Sequence, residues 1–506
     1  MTPFFVFFCC TCTLSVVHAQ GLTALIDVKH FRDAYLSKDN GAVELPPIFN
    51  KGGLERAIPV GRGWRRIITT GMYSVQSGDI LRIHAQVQVR SDQTVNDAVA
   101  YRGSLRILVD GNPIGTEQSQ NVWDGDSNNA NHHMPLWADA IYEHMKASRD
   151  INIDVEYAAS RWNNPSNKFL RLEGLGYPSV CDCSELVIEH YRSYPDSQNL
   201  NNDPAARVLW GILGTQDEQT GLFVGRCNDC PFPGTVAYSL SLYPHMDQIR
   251  ERDIIRLFGQ STSQYYDPPS NADQDQHAAG IKVSCTVDEF QALDRGENTG
   301  WKTSYVPLWS NATHKIISKD PGTQTYNLWM WAAGSLVVDK IYDGGHLYAM
   351  VYRDPNFAST KRSLNLATTF SAHPTNYKIK ANQGNETIAQ VPLSLSTGSY
   401  LRATGFTQIM QENSSDPPIA CVAQLQLYKS VNGRFVLDSK SSFSSKNVHF
   451  DIETIPLRTE LFRYIAETTE YHLKLQLNAQ RIDKSPNIVV VGGRTKLLVE
   501  IWEPYE

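Results

Sequence analysis

One outline appears three times in this chain, and it limits the fold more than any other feature. Gly78-Asp79-Ile80-Leu81-Arg82-Ile83-His84-Ala85-Gln86-Val87 reads as a turn that runs into a long alternating strand. Arg252-Asp253-Ile254-Ile255-Arg256-Leu257-Phe258-Gly259-Gln260 and Gly398-Ser399-Tyr400-Leu401-Arg402-Ala403-Thr404-Gly405 repeat it. Other landmarks recur in the same order. Met134-Pro135-Leu136-Trp137 is matched by Val306-Pro307-Leu308-Trp309 and by Ile455-Pro456-Leu457, and each copy closes on a similar strand, at 186–191, 347–352 and 497–502. A period of about 150 residues is a domain repeat, too long for a solenoid.

Short alternating runs, long loops and no βαβ rhythm make the chain all-β. The expected architecture is three tandem antiparallel β-sandwiches, jelly-roll-like, over residues 43–194, 206–354 and 361–506. A linker rich in Asn, Asp and Pro fills 195–205, and a second break follows Asp354. In the first unit, strands are expected at 66–69, 80–89, 105–109, 151–157, 169–172 and 186–191, with Asp110-Gly111-Asn112 as a turn. In the lead-in, 20–42, Leu25, Val28, Phe31 and Tyr35 fall at helical spacing, which predicts a short amphipathic helix. The shared residues have structural readings: Gly78 and Gly398 take positive φ, Asp79 caps its turn, and Pro135, Pro307 and Pro456 open edge strands. Arg82, Arg256 and Arg402 hold one strand position in all three copies, where they are expected to pair across the sheet or line a shared face, a structural role rather than a ligand site, because charge on a strand is usually solvated.

The start of the chain is apolar from Phe4 to Val17 and ends on Val17-His18-Ala19, as a secretory signal peptide over residues 1–19 would. No later stretch is long enough to span a bilayer. Three sequons, at Asn311, Asn385 and Asn413, are then glycan acceptors. Six cysteines follow the signal, and outside the cell thiols oxidise. Cys181 and Cys183 flank the first linker on one side, Cys227 and Cys230 on the other, so disulfides between the two pairs are expected. Cys285 and Cys421 sit in apolar strands of different repeats and read as buried free thiols. Net charge is -7 with no Lys/Arg cluster, which argues against a nucleic-acid partner.

Candidate chemistry is sparse. The chain has no zinc-helix motif, nucleophile elbow, phosphate loop or dinucleotide fingerprint. Asp124, Asp126 and Asn128 alternate like calcium ligands, with His132 and His133 close by. The pattern then fails, because Asn129 stands where the calcium loop needs Gly and Pro135 where it needs Glu. Trp329 and Trp331 share one strand face and suit either a core or a sugar platform; their counterparts in the other copies, such as Val155 and Leu475, favour the core.

The turn-plus-strand motif resembles jelly rolls in general, including complement-type globular heads and tumour-necrosis-type ligands, at the level of fold. Such a likeness implies no particular function. The sequence therefore points to a secreted, non-enzymatic, multi-domain glycoprotein, a structural component of an extracellular matrix such as a mineralised shell or skeleton. Its partners would be matrix proteins or glycans, with no cofactor beyond the calcium candidate. The alternatives are a lectin-like or ligand-like binding protein and a hydrolase on a sandwich scaffold.

Overall fold

The structure is a computed structural model. It describes residues 22–32, 57–59, 63–91, 100–123, 133–160, 169–172, 184–194, 223–224, 235–241, 254–266, 276–285, 291–299, 303–315, 325–333, 338–352, 364–370, 376–411, 419–441, 444–448, 455–480, 487–490 and 495–502. These residues form antiparallel strands and contain no helix. The first ten strands are β1 (Leu22–Arg32), β2 (Ala57–Pro59), β3 (Arg65–Val75), β4 (Ile80–Ser91), β5 (Ala100–Val109), β6 (Asn112–Trp123), β7 (His133–Glu143), β8 (Arg149–Ser160), β9 (Phe169–Leu172) and β10 (Glu185–Tyr194). Next come β11 (Phe223–Val224), β12 (Thr235–Ser241), β13 (Ile254–Tyr266), β14 (Gln276–Cys285), β15 (Gln291–Thr299), β16 (Thr303–Lys315), β17 (Thr325–Ala333) and β18 (Val338–Tyr352). The rest are β19 (Leu364–Phe370), β20 (Tyr377–Lys380), β21 (Asn385–Leu395), β22 (Tyr400–Gln411), β23 (Ile419–Val431), β24 (Arg434–Lys440), β25 (Ser444–Val448), β26 (Ile455–Tyr464), β27 (Thr469–Gln480), β28 (Asn487–Val490) and β29 (Lys496–Trp502).

The strands form six sheets. The first pair is β1-β10-β4 with β7 on β4, the short β9 and β2 extending it, and β3-β8-β5-β6. The second pair is β11-β18-β13-β16 and β12-β17-β14-β15. The third is β19-β29-β22 with β26 on β22, extended by β28 and β20, and β21-β27-β23-β24 with β25 on β23. Counting the eight main strands of each pair in chain order, every pair reads 1-8-3-6 and 2-7-4-5, which is jelly-roll order.

Alternation sets the two cores. On β4, Leu81, Ile83, Ala85 and Val87 face β3, β5 and β8 and join Ile68, Leu105, Ile107, Ile153 and Val155 in one cluster. On β22, Leu401 and Ala403 meet Leu425, Leu473, Leu475 and Leu477 in a second. Gly405 continues this inward face, where an added Cβ would lie 2.8 Å from a Leu475 methyl. Turns match their residues: Asp110 and Gly111 have φ of 50° and 78°, as a two-residue I′ hairpin needs. Gly78 and Gly398 sit at 85° and 87°. Asp79 accepts from the Gln76 amide at 2.8 Å and so caps its turn. Among the described residues, the three strands carrying Pro135, Pro307 and Pro456 (β7, β16 and β26) each pair with one neighbour, where a missing N–H is tolerated.

The lead-in helix is corrected. Residues Leu22–Arg32 are β1, paired with β10 from Leu22↔Tyr194 to Arg32↔Glu185. A bulge lies between Leu25 and Asp27, and the three-residue spacing from Leu25 to Val28 spans it. One extra residue in a strand imitates a helical period, and pairing with a neighbour overrides a weak local pattern. β6 was not legible because its middle, Glu117 to Asn121, is polar throughout; the Asp110-Gly111 turn and β5 hold it in place.

Candidate functional site

The three sheets that carry the repeated arginines turn their outer faces toward one another. Arg82, Arg256 and Arg402 point away from their own cores, and each is about 1% exposed. They do pair across the sheet and line a shared face, as Arg82 does with Glu189 and Arg402 with Glu500, but that face is not solvated, and the expected solvation is corrected. They lie in a sealed hub with Arg458, Asp139, Glu189, Glu460 and Glu500, none of which is more than 5% exposed.

The hub is built by register. Arg82 lies opposite Glu189 on β10, and Arg402 opposite Glu500 on β29. Two residues further along, His84 faces Asp139 on β7 and Thr404 faces Glu460 on β26. In the middle sheet the same two acidic positions are Met350, opposite Arg256, and Asn311, opposite Phe258. Four arginines therefore meet four carboxylates.

The ion pairs cross between sheets. Arg82 donates through Nη1 to Glu189 at 2.7 Å and through Nη2 to Asp139 at 2.6 Å. Glu189 also lies 3.3 Å from Arg402 Nε and 3.4 Å from Arg256 Nη1, and it accepts from the Tyr191 hydroxyl at 2.5 Å. Glu500 lies 2.6 Å from Arg256 Nε and 3.4 Å from Arg402 Nη1. Glu460 accepts from Arg402 Nη2 at 2.9 Å and from Arg458. Arg458 also donates to Asp139 at 3.0 Å, across 319 residues of sequence. The Phe258 ring sits among three guanidinium groups, at 4.2 Å from Arg256, 4.6 Å from Arg82 and 5.5 Å from Arg402. Weakly hydrated guanidinium over an aromatic face is favourable once water is excluded.

An aromatic layer adjoins the charges. Trp137, Trp309 and Phe406, one from each sheet, form a buried cluster with edge-on contacts at 6.0 and 4.5 Å. Gln260 ties two sheets together, accepting from the Asp139 amide at 3.0 Å and donating to the Trp137 carbonyl at 3.1 Å.

Electrostatics divides the carboxylates. Burial disfavours the charged form of Asp139, but Arg458, Arg82 and His84 outweigh it and hold the carboxyl well below its usual range. Glu460 also resists burial with the help of His84, Arg458 and Arg82, and is held down to about 2. Glu500 goes the other way. Burial, followed by the neighbouring Glu189, outweighs its arginines and pushes it up to about 8. Asp139 and Glu460 have depressed folded values, so the stability they contribute is present above the ordinary carboxylate range and lost as pH falls toward 2. Glu500 has a raised folded value, so its contribution is present below 4.5 and lost as pH rises to about 8. Melting temperature should therefore peak in mild acid. Glu500→Gln should flatten the decline toward pH 8 and leave the acid limb intact; superimposable profiles for the two proteins would contradict this.

His84 Nδ1, Asp139 and Glu460 place ligand atoms within 4.8 Å of one another, which is metal-ligand spacing. The same oxygens already accept from Arg82 and Arg458. A divalent ion there would lie against two permanent positive charges, so the set fits an ion-pair hub better than a metal centre.

Most residues named from sequence fall elsewhere. Asp124, Asp126 and Asn128 lie outside the described residues, as do Cys181, Cys183, Cys227, Cys230 and Asn413. Asn385 is exposed at the start of β21. Asn311 takes the hub register position described above. Cys421 is a buried free thiol, and burial pushes its pKa up. Trp309 is buried, while Trp329 and Trp331 are placed on β17 by backbone alone. The hub acids were missed, though the closing strands carried a signal: Glu189 and Glu500 interrupt apolar runs at matching places.

No family model matches the chain, and no curated protein is similar in sequence. Solved structures give distant likenesses of β-sandwich type. A tandem CBM22-1-CBM22-2 domain from Paenibacillus barcinonensis Xyn10C is 10% identical, covers 58% of this chain and 92% of its own, and superposes with a TM-score of 0.18. The infectious bursal disease virus Gt strain is 10% identical over 89% of this chain and 80% of its own, with a TM-score of 0.21. The VP2 subviral particle of that virus is 9% identical, covering 88% and 80%, with a TM-score of 0.20. At such scores nothing about function follows.

Proposed function

We propose that this chain is a secreted, non-enzymatic glycoprotein that acts as a structural block of an extracellular matrix, with matrix proteins or glycans as partners. In this reading three copies of one jelly roll, at 43–194, 206–354 and 361–506, close around a shared ionic core. The observation that carries it is the hub. Its densest ionisable chemistry is sealed from solvent and spent on guanidinium–carboxylate pairs between sheets. Groups placed this way hold units together and cannot touch a substrate. The coinciding sheet orders support three copies of one unit.

The test is to locate and map the native protein. It should be recovered from washed, insoluble matrix. Its peptide map should show glycans at Asn311, Asn413 and the exposed Asn385, and bonds joining Cys181 and Cys183 to Cys227 and Cys230. A freely soluble intracellular protein with reduced cysteines would overturn the reading.

A further inference from the structure

The β23–β24 hairpin carries an apolar strip that is largely exposed. Val431, Phe435, Val436 and Leu437 are 40–51% exposed. β24 is the terminal strand of its sheet, and among the described residues it pairs with β23 alone. The matching strands of the other two units lie against neighbouring sheets, β6 against β13, β16 and β18, and β15 against β26; here β25, which continues the same edge along β23, meets β7, and β24 is the part left over. A long apolar edge is a template for pairing with another strand, and proteins normally blunt it.

We infer that β24 pairs antiparallel with β24 of a second copy of this chain, about a two-fold axis at Val436. Two independent features select this occupant. The first is the backbone. Asn432 and Gly433 have φ of 53° and 75°, a two-residue I′ turn, so Val431 and Arg434 form the closing hydrogen-bonded pair. Alternation then points the N–H and C=O groups of Phe435 and Leu437 outward, up to the irregularity at Leu427/Tyr428. With Val436 opposite its own copy, Phe435 faces Leu437 of the second chain and the reverse, so all four outward residues meet in hydrogen-bonded pairs. The second is charge. The same register brings Arg434 to Asp438, the residue left over at that irregularity, at both ends of Arg434-Phe435-Val436-Leu437-Asp438, where Lys429 of the same chain lies 4.0 Å from Asp438. Asp438 already accepts from Arg463 Nε at 3.0 Å, so it is ordered before the partner arrives. A shift of one residue would lose both matches. Phe435, stacked on His472 at 3.9 Å, is likewise preset for the contact.

The experiment is light scattering and sedimentation of the intact chain at micromolar concentration. The wild type should show twice the monomer mass. Phe435→Pro should be monomeric and still folded, because its N–H faces outward and makes no bond to β23, with a lower melting temperature from the lost dimer contact and the lost stack on His472. Arg434→Asp puts like charges together twice and should weaken the dimer about tenfold or more. If Phe435→Pro unfolds, Arg434→Asp decides. A monomeric wild type overturns the proposal, including the case in which an unrelated extended peptide occupies the edge. A dimer unchanged by Arg434→Asp overturns it too, since another face would then be responsible.

Discussion

Arg82→Met should destabilise the protein by about 3–5 kcal/mol, measured by guanidinium denaturation at neutral pH. Arg82 reaches three carboxylates, touching Asp139 and Glu189 and lying 3.6 Å from Glu460, and it makes the two shortest pairs to Asp139 and Glu189. Methionine keeps much of the volume and removes the charge, which takes from buried Asp139 and Glu189 the guanidinium that lies nearest to each. That lost pairing causes most of the loss, because an intact buried pair adds little net stability while a broken one strands a desolvated ion. Glu500→Gln is the contrast. Its carboxyl already binds a proton readily, so the amide should cost far less at neutral pH. Equal losses in the two variants would mean that charge balance is not what holds the hub.

Val155→Asp should cost about 4 kcal/mol or more. Val155 is fully buried on β8, between Ile68 on β3 and Ile107 on β5 in register, and it belongs to the first core cluster. An aspartate there finds no cation and must either desolvate its charge or take up a proton. Met72→Asp is the control. It sits on β3 in the same sheet but is 81% exposed, so its change should stay within about 0.5 kcal/mol. Matching melting temperatures for Val155→Asp and the wild type would place Val155 in solvent and reverse the phase of β8.

Much of the strand framework was legible. All six strand segments expected in the first unit lie within β3, β4, β5, β8, β9 and β10. Alternation and turn residues carry that information locally. The arginine position was legible as well, but its surroundings were not. The rule that a polar residue on a strand faces water assumes that the far side of the sheet is bare. Here Arg82, His84, Gln86 and Gln88 alternate with the core residues of β4, and all four are about 1% exposed or less. What covers them comes from distant parts of the chain, with Arg458 reaching Asp139 from the last unit. No local pattern encodes such a meeting. The lead-in strand failed for the opposite reason: a bulge gave Leu25 and Val28 a local pattern that was real but misleading.

The middle sheet has Met350 and Asn311 where its neighbours have acids, and only the last sheet has an arginine at 458, where the others have Trp137 and Trp309. A ring of three identical chains could not be made this way, since every residue would arrive in threes and any charge would be tripled. Placing the three sheets in one polypeptide removes that arithmetic. The centre holds four guanidinium groups and four carboxyl groups, each at a different address, and one of the carboxyls, Glu500, keeps its proton up to about 8.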